Sequence, residues 1–255
     1  MKSIISTIII TGSIATINLS TYAQEQVIAS SDTVNLTINQ KLQTIFLELM
    51  NHTRPGVDIK LQYPGKICAK QDMPALSYTD ENNDGVIEVC PDLLTFARTD
   101  DQLACVIAHE MTHILRKHTE RFEEFEDSVT TRYVKKNPKN KKTVEKIMAK
   151  IEGEDIEESA EAEKALVALL DAAYGKIVTN FAIDMEREAD EGALVLASRA
   201  GFDPNEASLA MLNILDSKLS RQLNGQSSGD DAHDAITDRA FSLFLATLNP
   251  HRHSH

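Results

Sequence analysis

A chain of 255 residues, 42% hydrophobic and 25% charged, can bury one sizeable core, and its composition is neither that of a disordered chain nor that of a fibre. Its formal net charge of −13 argues against nucleic acid as a partner, since a polyanion would be repelled.

Residues 1–23 carry one positive charge at Lys2, an apolar run from Ile4 to about Ile17, and small residues ending at Ala23. That is the three-part layout of a secretory signal peptide, with cleavage expected between Ala23 and Gln24 and residues 24–255 left as a single domain. The run is short and is interrupted by Gly12, Thr16 and Asn18, so a lasting membrane span is not expected. The reading is export, to a periplasm or beyond the cell.

Leu42, Ile45, Phe46 and Leu49 then repeat at helical spacing, which predicts an amphipathic helix over 35–52. Short apolar bursts at 57–63, 74–79 and 85–90 read as strands. Between the last two lies DENNDG, in which Asp80, Asn82 and Asp84 match the first half of a calcium loop. Its twelfth position is Pro91 where glutamate is required, so a hairpin turn is the competing reading and the one preferred. Cys68 and Cys90 flank these strands and are the candidate disulfide pair in an oxidising compartment.

Thr99 and Gln102 form a capping-box pattern immediately ahead of LACVIAHEMTHILRKH, which places His109, Glu110 and His113 on a helix. Four residues advance slightly more than one turn, so the two histidines share a face. Two imidazoles so placed can hold Zn²⁺, and the intervening glutamate can serve as general base. A catalytic zinc keeps three protein ligands and an open position. His118 falls five residues after His113, and position 116 is arginine, so the HExxHxxGxxH pattern does not apply. Cys105, one turn before His109, is either a third ligand or a packed thiol. Ligands on three successive turns would diverge from one ion, which favours packing.

Residues 119–173 read as a charged helical insertion, with a basic run from Lys135 to Lys142 between acidic stretches and Pro138 dividing it into two helical pieces. Its surface reads as solvated, with a lid or partner-docking arm as the sharper alternative. A long helix is predicted over 177–200, closed by Gly201, followed by a helix starting at Asp203, Pro204 and Glu206. On the long helix Glu186 and Asp190 are four residues apart, so one can ligate while the other accepts an N–H from a ligating histidine. Helices with a few short strands and no βαβ alternation indicate an α+β domain.

HEMTH followed by EREADEGALVLASRAGFDPNEA resembles the HtpX-like zinc metallopeptidases, a family that includes CAAX prenyl proteases and small bacterial envelope proteases. The resemblance spans residues from about Pro74 to Arg239 and takes in Glu186, Asp190 and Gly192, then His233 and Arg239. Two positions depart from the family pattern. Asp234 follows His233 where proline is usual, and the segment before the active helix lacks the usual asparagine.

The resemblance implies a zincin-type fold, mainly helical, with a small sheet whose edge strand borders the active-site helix. It also implies one Zn²⁺ held by His109, His113 and Glu186, and Glu110 as base. His233 or Arg239 becomes the expected oxyanion donor, although His233 could instead close the fourth zinc position. The strand GVIEV is expected to be an edge that pairs with extended peptide. Expected substrates are unfolded or misassembled envelope proteins, and the envelope is also where a partner protein is expected. The competing function is a zinc-containing chaperone or binding protein with a closed, seldom active site.

Overall fold

The computed structural model describes residues 24–53, 58–67, 74–153, 156–206, 209–210 and 213. Helix α1 spans Gln24–Met50 and buries Leu42, Ile45, Phe46 and Leu49 as the periodicity requires. It begins well before 35, because its upstream turns carry Ser30, Ser31, Asp32 and Thr33, which leave no apolar rhythm to read. The expected signal segment, residues 1–23, lies outside the described residues. No single described helix is long and apolar enough to cross a membrane.

Among the described residues three strands follow, β1 (Ile59–Gln62), β2 (Ala75–Thr79) and β3 (Gly85–Val89), in the order β1-β3-β2. The hairpin β2–β3 is antiparallel, and β1 joins the far side of β3 in parallel. This corrects the expectation that GVIEV is an edge. β3 is the central strand and all five of its residues are buried, so neither side of its backbone is open to a peptide. The edge beside the active helix is β2.

In the hairpin turn the Asp80 carboxylate accepts the Asn82 and Asp84 backbone N–H groups at 2.8 and 3.0 Å. The Lys60 ammonium lies against both Asp80 and Asp84. These carboxylates are engaged in a turn and an ion pair, which gives the calcium reading no support.

After a one-turn helix α2 (Leu93–Phe96), α3 (Asp100–Leu115) starts at Thr99, whose hydroxyl accepts the Gln102 N–H at 3.2 Å. The return bond comes from Gln102 Oε1, which accepts the Arg98 N–H at 2.7 Å, one residue outside the usual capping box. Leu103, Ala104, Ile107, Ala108 and Met111 put α3 at the centre of the main core, between α1, the sheet and the last long helix.

The 119–173 stretch is helical, but in more than the two pieces expected. It contains α4 (His118–Lys136), a 3-10 turn at Pro138–Asn140, α5 (Lys141–Ile151) and α6 (Ile156–Tyr174). Nor is it merely solvated. Phe122, Val129 and Tyr133 of α4 pack with Val144, Leu166 and Leu170 as a second core. Helix α7 (Ile177–Arg199) belongs to both cores, giving Val178 and Met185 to the second and Ala193 and Leu196 to the main one. It ends as predicted: Gly201 has φ +86°, and the Phe202 N–H donates to Ala197 O at 3.0 Å, closing a Schellman motif.

Two carboxylates sit inside the second core, Glu126 (8% exposed) on α4 and Glu163 (6%) on α6. Burial pushes Glu126 up to about 7, with Asp127 and Glu123 adding to it, and pushes Glu163 up to about 8, with Glu126 and Glu123 adding. Between the ordinary carboxylate range and pH 8 the folded protein therefore holds protons that the unfolded chain has released, so stability falls as pH rises through that window. The midpoint of thermal unfolding, followed by circular dichroism, is expected to drop between pH 5 and pH 8. Glu163→Gln should flatten that slope; an unchanged slope would show that these carboxylates do not set it.

Candidate metal centre and active site

Helices α3 and α7 approach closely at Gly192, where a Cβ would lie 2.3 Å from Thr112 Cγ2. Only glycine permits that approach, and it brings the EREAD stretch of α7 against the histidines of α3. His109 Nε2 and His113 Nε2 are 3.0 Å apart. Glu186 Oε2 lies 3.4 Å from His109 Nε2, and its Oε1 lies 3.5 Å from His113 Nε2. All three residues offer a ligand atom within 4.8 Å of the other two.

Donors about 2.1 Å from a tetrahedral ion stand about 3.4 Å from one another, so this set fits zinc. The electrostatics agree with the geometry. Burial opposes charge on His109, but Asp190 and Glu186 outweigh it and push the imidazole up to about 10. Two buried carboxylates beside two imidazoles form a site in which a dication can replace the proton held on His109. Asp190 Oδ1 is 2.9 Å from His109 Nδ1.

Glu110 is 9% exposed, on the turn between the two histidines. The Ser77 hydroxyl, from the edge strand β2, donates to Glu110 Oε2 at 2.7 Å. The sequence reading missed Ser77. A serine at an inner position of the strand ALSYT was the available signal, but nothing in a strand pattern names the helix it faces.

His118 was also missed. It is 2% exposed, and its Nδ1 lies 3.0 Å from His113 Nδ1. On its far side Nε2 is 3.5 Å from Glu188 Oε2, an ion-pair distance rather than a formed hydrogen bond. Arg121 donates to both Glu188 oxygens at 2.9 and 3.0 Å, and Arg116 donates to one at 3.3 Å. The Arg121 guanidinium holds Glu188 down at about 2, whereas burial, with His113 and Arg121 nearby, holds His118 down at about 4.

His233 and Arg239 lie outside the described residues. Cys105 is a free thiol that packs with Leu194, Ala197 and Phe202, and burial pushes it up to about 12. It is absent from the ligand cluster, so packing, not ligation, is its observed role. Cys90 is disulfide-bonded, and Cys68 lies outside the described residues.

A family model described as Peptidase family M48 matches residues 38–247. Among curated proteins and among solved structures, nothing matches.

Proposed function

The chain belongs to peptidase family M48, a family of zinc metallopeptidases, and from that premise we propose an exported endopeptidase that cleaves unfolded or misassembled envelope proteins. The observation that carries this reading is the convergence of His109, His113 and Glu186 within 4.8 Å, with Glu110 between the histidines. These three would hold the zinc.

When bound, zinc supplies Lewis acidity toward the scissile carbonyl and makes a water acidic enough to attack at neutral pH. Glu110 takes the proton from the attacking water and later passes it to the leaving amine. Ser77 fixes one Glu110 oxygen, so the carboxylate stays oriented through that transfer. Asp190 keeps the His109 ring turned so that Nε2 faces His113 and Glu186. His233 and Arg239 are the proposed donors to the negative charge that develops on the substrate carbonyl oxygen.

Peptide would enter extended, pairing with the outer side of β2, which brings it alongside Ser77 and Glu110. Backbone pairing reads little side-chain sequence. It does require a segment with unpaired backbone, as in unfolded protein, and the signal-like residues 1–23 support an envelope location for such substrates.

The test is incubation of the zinc-loaded protein with casein, beside a stably folded protein of similar size. Casein is expected to be cut and the folded protein spared, with activity lost to 1,10-phenanthroline and restored by zinc. Intact casein beside a protein that holds one zinc would sink the peptidase reading.

A further inference from the structure

Among the described residues His118 is a buried imidazole that belongs to neither hydrophobic core. Burying an imidazole needs compensating bonds; one ring nitrogen faces the ligand His113, and the other faces Glu188, away from the metal cluster.

We propose that His118 is a positioning residue for the metal: its Nδ1 accepts the Nδ1–H of the ligand His113, and Glu188, clamped by Arg121 and Arg116, anchors it from behind. This role rests on the zinc-peptidase reading. The direction of the bond follows from the geometry. His113 turns Nε2 toward His109 and Glu186, so Nε2 must keep its lone pair for a metal and the ring proton must sit on Nδ1. His118 Nδ1, 3.0 Å away, is then the acceptor, and its own proton lies on Nε2, facing Glu188.

The backbone is built for the contact. α3 ends at Leu115, and Lys117 takes a left-handed conformation at φ 55°. That reversal starts α4 with His118 turned back beneath His113. Glu188 comes from α7, one turn or less from Glu186 and Asp190, so the anchor and the third ligand move together.

The two histidine ligands are thereby supported differently. His109 leans on a carboxylate and His113 on a neutral imidazole. A carboxylate behind each ligand would place more negative charge at the metal and blunt its acidity toward water. A neutral partner fixes the His113 ring without adding charge, and the Glu188 charge, one ring further out, is offset by Arg121.

Zinc affinity by competition with a chelator, and the visible spectrum of the cobalt-substituted protein, test the role. His118→Leu should weaken zinc binding by about 10- to 100-fold, the usual cost of losing an outer partner, and shift the cobalt bands. His118→Gln, which can offer an amide oxygen to His113, should recover most of that loss. Glu188→Gln, on a partly exposed side chain, should fold as the parent does and lose affinity several-fold. Nitrogen-15 spectroscopy of the zinc-loaded parent should find the His118 proton on Nε2.

Unchanged affinity and cobalt spectrum in His118→Leu would overturn the proposal, as would a His118 proton on Nδ1. If His118→Leu does not fold, the ring tautomer and Glu188→Gln decide between the same two results. A parent protein that binds neither zinc nor cobalt would overturn the metallopeptidase reading itself, and this role with it. A merely structural histidine would lower thermal stability and leave the cobalt spectrum alone.

Discussion

Glu110→Gln is expected to abolish casein cleavage while leaving zinc affinity within a few-fold of the parent. The substitution keeps size and shape, and an amide can still bond to Ser77. What it removes is the capacity to take a proton, and a positioned general base contributes about 10²- to 10⁴-fold to rate. Glu110 is not among the three residues whose donor atoms converge, so the metal should stay. Paired measurements of cleavage rate and zinc content separate the two effects. A variant that keeps a tenth of parental activity would show that another group does the proton transfer.

Glu186→Gln has the second large effect, in the opposite quantity. The two histidines are only four residues apart on one helix, whereas Glu186 is the one donor in the cluster brought from another helix. Its loss leaves two nitrogens where a tetrahedral site needs three protein donors. Zinc affinity should fall well beyond the roughly 10- to 100-fold expected for Asp190→Asn, which removes only the outer partner of His109. Both variants belong in one competition experiment. Equal losses would mean that Glu186 is no ligand, and the third donor would then have to be sought elsewhere, with His233 the first candidate.

Much of this site could be read from sequence because its signals are local. The Thr99–Gln102 cap, the helical period and the four-residue histidine spacing all lie within one helix, and Gly201 marks the end of α7 by its own conformation. The Glu186–Asp190 pair is legible for the same reason, four residues apart on one helix, while the choice of Glu186 as the ligand comes from the family resemblance.

The misses are tertiary. The apolar burst GVIEV marks a strand but does not say which strands lie on either side, so its central place in the sheet is not legible in sequence. The insertion core was hidden because Glu126 and Thr130 interrupt the apolar positions of α4, in a segment dense with lysine and glutamate. Ser77 reaches Glu110 across 33 residues of sequence, and His118, though only five residues from His113, meets it through the left-handed turn at Lys117, which no helical period announces.

The donor cluster also has a topological meaning. His113 and Glu186 lie at the two ends of the inserted helices, so a metal held by both ties off a loop of about 70 residues at its neck. Such a tie forms only as the chain folds, so the free energy of binding the ion adds to the stability of the fold. The ion that supports chemistry would therefore also act as a staple. Its withdrawal would weaken the neck where the inserted helices, which keep their own core, join the main one.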